Sequence, residues 1–325
     1  MLNNKFNLGF YPTPVYKLNN LSKLHSGYNI YIKRDDNTGL ASGGNKTRKL
    51  EYLIKQAVDE KYDTVITAGA QQSNHCRQTA AACAAAGLKC HLLLGGDKPG
   101  KYTGNLLLSA LLGATIHFAG QNRKGEDIES LKNKLDKNGS KCYMVPYGGS
   151  NITGALGYVN AVKELKQQIA AMNLNLDYIF FASSSGGTQA GITLGLELFN
   201  LKTKLVPIQI DKHETYGKTL EQIVLSLVNE GVNLFKIKKE FHITDIYVNK
   251  DYNKADYGVL TENEKLAINT LAETEGILLD PVYTGRAFYG MLNMLKQQKI
   301  EKKSNIMFWH TGGLPALFKY SDELI

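Results

Sequence analysis

The sequence contains few cysteines, little proline and a single tryptophan: four Cys, seven Pro and one Trp among 325 residues. The four cysteines, Cys76, Cys83, Cys90 and Cys142, include no C-x-x-C pair, so the sequence indicates neither a disulfide framework nor a zinc site. No apolar run is long enough to cross a bilayer, and the first residues lack the apolar core of a signal peptide. We therefore expect a cytoplasmic protein with no metal.

Long basic runs are also absent, although the formal net charge is +8. The longest basic clusters are the short pairs at Lys238-Lys239 and Lys302-Lys303. Scattered lysines are typical of a solvated surface with some attraction for small anions. We therefore expect neither a nucleic acid nor a membrane as a partner.

The hydrophobic content of 43% allows the chain to bury a large core, and its length predicts two domains. Short apolar segments alternate with helical ones, which predicts α/β architecture with parallel sheets. Strands are expected at 29–33, 64–67, 90–94, 115–118, 142–145, 178–182, 205–210, 242–248, 277–279 and 306–309. Later helices are expected at 73–86, 105–112, 152–172, 218–230, 262–275 and 286–298. Residues 8–21 contain Tyr11-Pro12-Thr13-Pro14 and should form an arm or lid.

The strongest chemical signal is the stretch Ser42-Gly43-Gly44-Asn45-Lys46-Thr47-Arg48-Lys49. Its glycines permit a sharp turn before a predicted helix, with Asn45 available as the cap. Lys46 would then lie at the positive end of the helix dipole, with Arg48 and Lys49 nearby, which disfavours its charged form. A neutral lysine is a nucleophile that forms Schiff bases, including one with the aldehyde of pyridoxal phosphate. On spacing alone, a solvated basic turn is the alternative interpretation.

A serine- and glycine-rich loop at 183–191 follows one predicted strand and precedes a helix. Backbone N–H groups at such a helix start bind an anion without a lysine, and the G-x-x-x-x-G-K-[ST] pattern of nucleotide hydrolases is absent. With the lysine motif present, the loop predicts a phosphate cradle, although by itself this composition is more typical of an ordinary turn. The predicted cradle comprises Ser184, Ser185, Gly186, Gly187 and Thr188.

These stretches resemble the fold type II pyridoxal phosphate-dependent enzymes, in the branch of D-cysteine desulfhydrase and 1-aminocyclopropane-1-carboxylate deaminase. The same resemblance is carried by Ala68-Gly69-Ala70-Gln71-Gln72-Ser73-Asn74-His75, Asp280-Pro281-Val282-Tyr283-Thr284-Gly285 and His310-Thr311-Gly312-Gly313. It implies two open twisted parallel-sheet domains of the tryptophan synthase β-like fold, with pyridoxal 5'-phosphate in the cleft between them. We expect a larger cofactor-binding domain at 1–49 and 152–325 and a smaller inserted α/β domain at 50–151. The resemblance also implies a homodimer.

The resemblance gives individual residues expected roles. Lys46 would hold the cofactor, Lys49 would assist phosphate binding, and Asn74 would bond the ring hydroxyl of the cofactor. Ser73 would contact a small amino-acid substrate, whose carboxylate the turn at 71–75 could bind. Gln72 and His75 are further candidates for substrate contact, with helix capping or packing as the alternative. Tyr283 would enter the cleft after Asp280-Pro281, and Tyr257 resembles a second active-site tyrosine.

Two threonines bear on the reaction type. The resembling deaminases have an acidic residue after the active-site tyrosine and an apolar residue after the histidine, whereas this chain has Thr284 and Thr311. Hydroxyl partners would leave the pyridine nitrogen neutral, which is sufficient to eliminate a good β leaving group. We therefore expect a lyase that converts D-cysteine to sulfide, ammonia and pyruvate.

Three alternatives remain open on the sequence. The chain could catalyse the 1-aminocyclopropane-1-carboxylate deaminase reaction, or act on another β-substituted amino acid such as L-cysteate or D-serine. A non-catalytic cofactor-binding protein is the alternative from a different class. A dinucleotide-binding protein is disfavoured because no strand is followed by G-x-G-x-x-G.

Overall fold

The computed structural model describes residues 1–325 and contains two open β-sheets with packed helices. The strands are β1 (Val15–Lys17), β2 (Asn29–Arg34), β3 (Thr64–Ala70), β4 (Lys89–Gly95), β5 (Thr115–Phe118), β6 (Cys142–Met144), β7 (Tyr178–Ser183), β8 (Lys204–Gln209) and β9 (Asn305–His310). The helices are α1 (Asn19–Leu24), α2 (Lys46–Asp59), α3 (Asn74–Ala86), α4 (Gly104–Leu111), α5 (Ile128–Lys137), α6 (Ile152–Ala171), α7 (Gly187–Leu198), α8 (Leu220–Phe235), α9 (Glu262–Glu275), α10 (Thr284–Lys296), α11 (Leu314–Leu317) and α12 (Ser321–Leu324). None of these helices is both long and apolar enough to span a bilayer.

The two sheets confirm the predicted α/β architecture. The larger sheet has the order β1-β2-β9-β7-β8, in which only β1 is antiparallel to its neighbour. The smaller sheet has the order β5-β4-β3-β6 and is parallel throughout. The chain builds two strands of the larger sheet, completes the smaller sheet, and then returns to the larger one. The boundaries of the two domains, at 49/50 and 151/152, stay a prediction.

The neighbouring strands β7 and β9 of the larger sheet are mostly apolar because helices cover both faces of the sheet. Along β9, Ile306 and Phe308 belong to a core that also contains residues of α9 and α10. The intervening residues Met307 and Trp309 belong to a second core, with residues of α6 and α7. Successive side chains of β9 therefore pack into two separate cores, one on each face of the sheet.

Two predicted strands are wrong. Residues 242–248 contain only a single 3₁₀ turn at Ile243–Asp245, and the edge of β8 is met instead by an isolated bridge between Ile208 and Asn249. Residues 277–279 show the alternation of a strand, because Ile277 and Leu279 are buried while Leu278 is exposed. They nevertheless have no strand beside them to pair with.

The expected arm at residues 8–21 is corrected in part, because its second half contains β1 and the start of α1. Val15–Lys17 forms β1 on the sheet edge, and α1 follows directly. Thr13 is only 1% exposed, and its hydroxyl donates a hydrogen bond to the Asp35 carboxylate. Residues 8–14 lie largely over the surface as expected, with Phe10 77% exposed, whereas Thr13, Leu18 and Leu21 anchor the segment to the core.

Asp35 lies at the centre of a buried polar cluster that ties α2 to β9 and α6. Its carboxylate accepts five hydrogen bonds of 2.8 Å, from Arg48 Nε and Nη2, Tyr158 OH, Trp309 Nε1 and Thr13 Oγ1. Burial alone would raise the pKa of Asp35, but the Arg48 guanidinium and the hydrogen bonds hold that pKa at about 2. The cluster therefore contains a charged carboxylate at neutral pH.

We expect Asp35→Asn to lower the free energy of unfolding by about 3–5 kcal/mol at pH 7, because Arg48 loses its bidentate partner in the core. The pKa of Asp35 is lower in the folded state than its ordinary value of 3.8. Its contribution is therefore complete above that value and is lost as the pH falls toward 2. Urea unfolding of the wild type and the variant should show a difference in the free energy of unfolding that becomes smaller toward acid pH. Asp136→Asn, on the surface, should change little, and an equally small effect of Asp35→Asn would contradict the assignment.

Candidate active site

One cavity lies beyond the carboxyl ends of the strands in both sheets, where open α/β sheets bind ligands. Its walls come from the start of α2, the segment after β3, a turn before α6, the loop after β7, the residue before α10 and the segment after β9. The lining residues are Asn45, Lys46, Ser73, Asn74, His75, Tyr147, Gly148, Ala182, Ser183, Ser184, Ser185, Gly186, Thr188, Tyr283, Thr311 and Gly312. The structure thus brings most of the predicted site residues together.

Lys46 is the first residue of α2 and lines the cavity. The preceding turn requires glycine, because Gly43 has a φ of +64° and a Cβ there would lie 1.8 Å from the Asp36 carbonyl oxygen. Asn45 does not cap the helix as predicted, since its Nδ2 instead donates to Thr188 Oγ1 at 3.2 Å. Its Oδ1 accepts a hydrogen bond of 3.2 Å from Lys46 Nζ.

The pKa of Lys46 is lowered to about 8, mainly by burial. The Asp280 carboxylate opposes this shift, and the Arg77 guanidinium adds to it. Arg48 lies outside the cavity, so the expectation that it acts on Lys46 is wrong. A substantial fraction of Lys46 is therefore neutral near pH 8, as a nucleophilic amine must be.

The loop after β7 provides a cradle for an anion. No acceptor in the protein binds the backbone N–H groups of Ser184, Ser185, Gly186 and Thr188, which all line the cavity. Gly187 begins α7, and its N–H donates to Ser150 Oγ at 3.2 Å. Free N–H groups at the start of a twelve-residue helix suit a phosphate group.

Lys49 lies directly behind this cradle and does not itself line the cavity. Its Nζ donates to the Gly148 carbonyl oxygen at 3.0 Å and to Ser150 Oγ at 3.2 Å. A Cβ on Gly187 would lie only 2.9 Å from Lys49 Nζ and 2.8 Å from Ser150 Oγ. Burial, followed by the charge of Lys46, holds the pKa of Lys49 well below its usual range. An arriving phosphate would favour the charged amine.

The turn at 147–150 completes the cradle and was not assigned to the site from the sequence. Gly148 has a φ of +65°, and a Cβ there would lie 2.2 Å from Ser185 Oγ. Ser150 Oγ is 2.8 Å from that same serine oxygen. The run Tyr147-Gly148-Gly149-Ser150 before a helix was the available signal.

The start of α3 contributes three residues to the cavity. Ser73 caps the helix by accepting a hydrogen bond from Cys76 N, and Asn74 and His75 follow it. Gln72 points elsewhere, because its Oε1 accepts from Asn105 N and its Nε2 donates to the Thr103 carbonyl oxygen. Gln72 therefore holds the start of α4, and the structure does not place it at the cavity.

His75 is neutral, and its tautomer follows from its partner Thr67. The Thr67 hydroxyl donates to the Val145 carbonyl oxygen, so it must accept from His75 Nε2, 2.8 Å away. Nδ1 therefore lacks a proton, and it has no partner in the protein. Burial, then the charges of Lys46 and Lys49, keep the pKa of His75 well below its usual range.

The two predicted tyrosines form a hydrogen-bonded pair beside the cavity. Tyr283 lines the cavity, and its hydroxyl is 2.5 Å from that of Tyr257, which reaches the cavity only through Tyr283. The Arg123 guanidinium lies 4.4 Å from the centre of the Tyr257 ring and donates to Asp211 at 2.7 Å. Burial raises the pKa of both phenols well above the usual range, so both are protonated at neutral pH.

The two threonines differ in position. Thr311 lines the cavity. Thr284 does not, because its hydroxyl donates to Asp280 Oδ1 at 2.7 Å and accepts from Asp280 N at 2.8 Å. The Asp280 carboxylate also accepts from the N–H groups of Val282, Tyr283 and Thr284 and so caps the start of α10. The predicted contact of Thr284 with a cofactor ring is not supported by this geometry.

Comparisons with known proteins show the family to which the chain belongs. A sequence-family profile described as "Pyridoxal-phosphate dependent enzyme" matches residues 6–312. A D-cysteine desulfhydrase of Klebsiella pneumoniae (strain 342) is 40% identical over 319 residues, which cover 96% of this chain and 95% of that protein. A bifunctional D-cysteine desulfhydrase/1-aminocyclopropane-1-carboxylate deaminase, mitochondrial, of Arabidopsis thaliana is 38% identical over 333 residues, covering 98% of this chain and 80% of that protein.

Solved structures show the same fold. A crystal structure described as an ACC deaminase homologue superposes with a TM-score of 0.89 at 36% identity, covering 99% of this chain and 95% of that one. Threonine deaminase isoform 2 from Solanum lycopersicum superposes with a TM-score of 0.62 at 19% identity, covering 93% of this chain and 79% of that one. The second similarity concerns the fold alone.

The pKa of Lys46 gives a direct prediction for the protein without cofactor. Only the neutral amine attacks an aldehyde, so the rate of reaction with pyridoxal phosphate should rise about tenfold per pH unit below pH 8 and level off above it. Stopped-flow absorbance between pH 6 and 10 would measure this. Lys46→Ala should abolish the lysine-bound absorbance while leaving the fold intact. A midpoint of the rate profile near the ordinary pKa of lysine would show that the pKa of Lys46 is not lowered.

The cradle gives a second prediction. Gly187→Asp places a side chain and a negative charge against Lys49 and Ser150, where the phosphate would bind. We expect the cofactor affinity to fall at least about tenfold, equivalent to ~1.4 kcal/mol, with a much smaller change in the stability of the apoprotein. Gly100→Asp, at a site with no heavy atom within 4 Å of the new Cβ, is the matched control. Equal cofactor affinities of the two variants would remove the loop from the site.

Proposed function

Because the chain belongs to the pyridoxal-phosphate dependent enzyme family, and so uses pyridoxal phosphate, we propose that it is a lyase that removes sulfide from D-cysteine. The reaction is an α,β-elimination that releases sulfide, followed by hydrolysis with one water that gives ammonia and pyruvate. The bound cofactor would withdraw electrons from the substrate Cα. The chain itself must bind the substrate, move protons at Cα and nitrogen, and exclude competing reactions.

The residues present fit the cofactor. The unpartnered N–H groups of the loop after β7 form the phosphate site, with Lys49 behind them. Lys46 supplies an amine whose pKa of about 8 makes attack on the aldehyde feasible near neutral pH. Asn74 lines the same cavity and would bond the ring hydroxyl. The contact of Asn74 with the ring hydroxyl is the one that the family resemblance implies.

The observation that carries the choice of reaction is the absence of any Asp or Glu among the residues lining the cavity. A carboxylate beside the ring nitrogen would keep that nitrogen protonated and strongly electron-withdrawing. The Thr311 hydroxyl is available there instead, and it can donate to a neutral nitrogen. A thiolate is a good leaving group, so its elimination demands less electron withdrawal than the opening of a cyclopropane ring.

Proton transfer can be assigned to two groups. The neutral Lys46 amine can accept the proton from the substrate Cα. Tyr283 is protonated and donor-competent, and Tyr257 holds its hydroxyl at 2.5 Å. The start of α3, with Ser73 as its cap, offers N–H groups to the substrate carboxylate.

The second candidate is the deaminase reaction on 1-aminocyclopropane-1-carboxylate. The similarity to a plant protein described as bifunctional supports it, because that protein is named for both reactions. A lyase for L-cysteate or D-serine would use the same residues on a different leaving group. A homodimeric state and a cytoplasmic location stay predictions.

A substrate panel tests the proposal. Purified holoenzyme should be mixed with D-cysteine, L-cysteine, D-serine, L-cysteate and the cyclopropane amino acid, and both sulfide and keto acid should be measured. We expect kcat/KM for D-cysteine to exceed that for the cyclopropane at least about a hundredfold, which corresponds to ~2.7 kcal/mol of transition-state discrimination.

Thr311→Leu tests the role of the hydroxyl, because it removes the donor while leaving an apolar side chain of similar reach. Its kcat for D-cysteine should fall at least about tenfold, with a smaller change in KM. Thr284→Val is the matched control, since the Thr284 hydroxyl faces Asp280 and its loss should act mainly on stability. A wild-type preference for the cyclopropane would overturn the choice of lyase.

A further inference from the structure

Arg77 is a fully buried arginine without a carboxylate partner. The two other buried arginines have one: Arg48 forms ion pairs with Asp35 and Glu164, and Arg286 forms one with Glu264. The Arg77 guanidinium contacts only amide and carbonyl oxygen atoms, and its Nε has no partner. Burying a charge without a counter-ion is unfavourable. Arg77 contacts Asn74, which lines the cavity, and this position accounts for a buried charge at this place.

The contacts of Arg77 converge on the side chain of Asn74. Arg77 Nη1 donates to Asn74 Oδ1 at 3.2 Å and to Asn105 Oδ1 at 2.6 Å, and Nη2 donates to the Gly43 carbonyl oxygen at 2.7 Å. The fully buried Asn105 donates in turn from Nδ2 to Asn74 Oδ1 at 2.9 Å. The amide oxygen of Asn74 therefore receives two donors.

This network fixes the orientation of the Asn74 amide. With the amide reversed, its NH₂ group would face two donors and lose both hydrogen bonds. Asn74 lines the cavity, so Nδ2 is the atom left to interact with a ligand. Asn74 thus offers a donor, and a donor favours an anionic oxygen.

We propose that Arg77 is a positioning residue that, with Asn105, holds Asn74 as a hydrogen-bond donor and, through a charge that no carboxylate pairs directly, makes the site favour the deprotonated ring oxygen of the cofactor. The proposal rests on the assigned contact between Asn74 and the cofactor. Arg77 itself touches neither cofactor nor substrate and acts through Asn74 and through its charge.

The charge of Arg77 is retained in the folded protein. Burial lowers the pKa of Arg77 to about 10, with Asp280 opposing the shift, so the guanidinium stays positive at neutral pH. The same charge adds to the lowering of the pKa of Lys46. One buried cation therefore acts on both groups that would hold the reactive end of the cofactor, the lysine amine and the asparagine amide.

The test uses the absorbance of the lysine-bound cofactor in holoenzyme prepared without substrate. The pH at the midpoint of the absorbance change gives the pKa of the proton shared by the ring oxygen and the attached nitrogen. Arg77→Gln, which is neutral but can still donate a hydrogen bond, should raise this midpoint by at least about one unit, a tenfold change in the proton equilibrium. Arg77→Lys, which keeps the charge, should recover more than half of that shift.

Binding to the apoprotein separates positioning from a purely structural role. Arg77→Gln should weaken pyridoxal phosphate binding about tenfold and inorganic phosphate binding less than about twofold, because inorganic phosphate needs only the cradle. Equal losses for both ligands, or an unchanged midpoint in a folded variant, would overturn the proposal. Arg34→Gln also removes a guanidinium, one that binds Asp36 and does not line the cavity, and should leave the midpoint unchanged. A shift as large in Arg34→Gln would likewise overturn the proposal.

A second variant covers the case in which Arg77→Gln does not fold. Asn105→Ala removes one of the two donors to Asn74 and leaves the Arg77 charge in place, so it should shift the midpoint in the same direction by a smaller amount. No shift in that variant would overturn the role of the network. None of these readouts uses a substrate. If the wild-type protein binds the cofactor at Lys46 but does not release sulfide from D-cysteine, the proposed reaction is wrong. The inference on Arg77 is then unaffected.

Discussion

The buried ion pair between Asp35 and Arg48 is the constraint on which the site depends. It fixes the rotation of α2 about its own axis, because Arg48 must face the carboxylate on the other side of the helix from the cavity. Residues three apart on a helix share a face, whereas residues two apart do not. Lys46 and Lys49 therefore both face the cofactor region when Arg48 is held in the core. Lys46 and Lys49 thus lie on the side of the cavity, whereas Arg48 binds Asp35 in the core.

Positive potential in the cavity comes mainly from the backbone and from buried cations. The starts of α2, α3 and α7 all contribute lining residues, so three helix dipoles point their positive ends toward one space. The start of α10 is the exception, because the Asp280 carboxylate satisfies its N–H groups from within the protein. The N–H groups at the start of α10 are therefore not available to a ligand. Tyr283, just before this helix, lines the cavity with its side chain.

Local sequence was sufficient to predict the turns and helix starts of this site, because glycine positions and strand–loop–helix order are encoded within a few residues. It was not sufficient to predict where each side chain points. Thr284 adjoins Tyr283 in the sequence but is turned back to Asp280, and Gln72 adjoins Ser73 but holds the start of α4. Similarly, residues 277–279 have the alternation of a strand but lack a neighbour to pair with. The partner of Gln72 lies 33 residues away in the sequence. Asp280 lies only four residues before Thr284, but the local pattern does not show that its carboxylate accepts from that hydroxyl.

The displacement of Thr284 from the cavity changes the argument about reaction type. Two threonines were expected to share the ring nitrogen, but only the Thr311 hydroxyl lines the cavity. A glutamate in place of Thr284 would first have to displace the hydrogen bonds with Asp280, and two buried carboxylates would then repel each other. An acidic residue at this position therefore requires a different arrangement around Asp280 as well as a different side chain. Under the proposed function, the protonation state of the ring nitrogen would therefore depend on the arrangement around Asp280 as well as on the Thr311 hydroxyl.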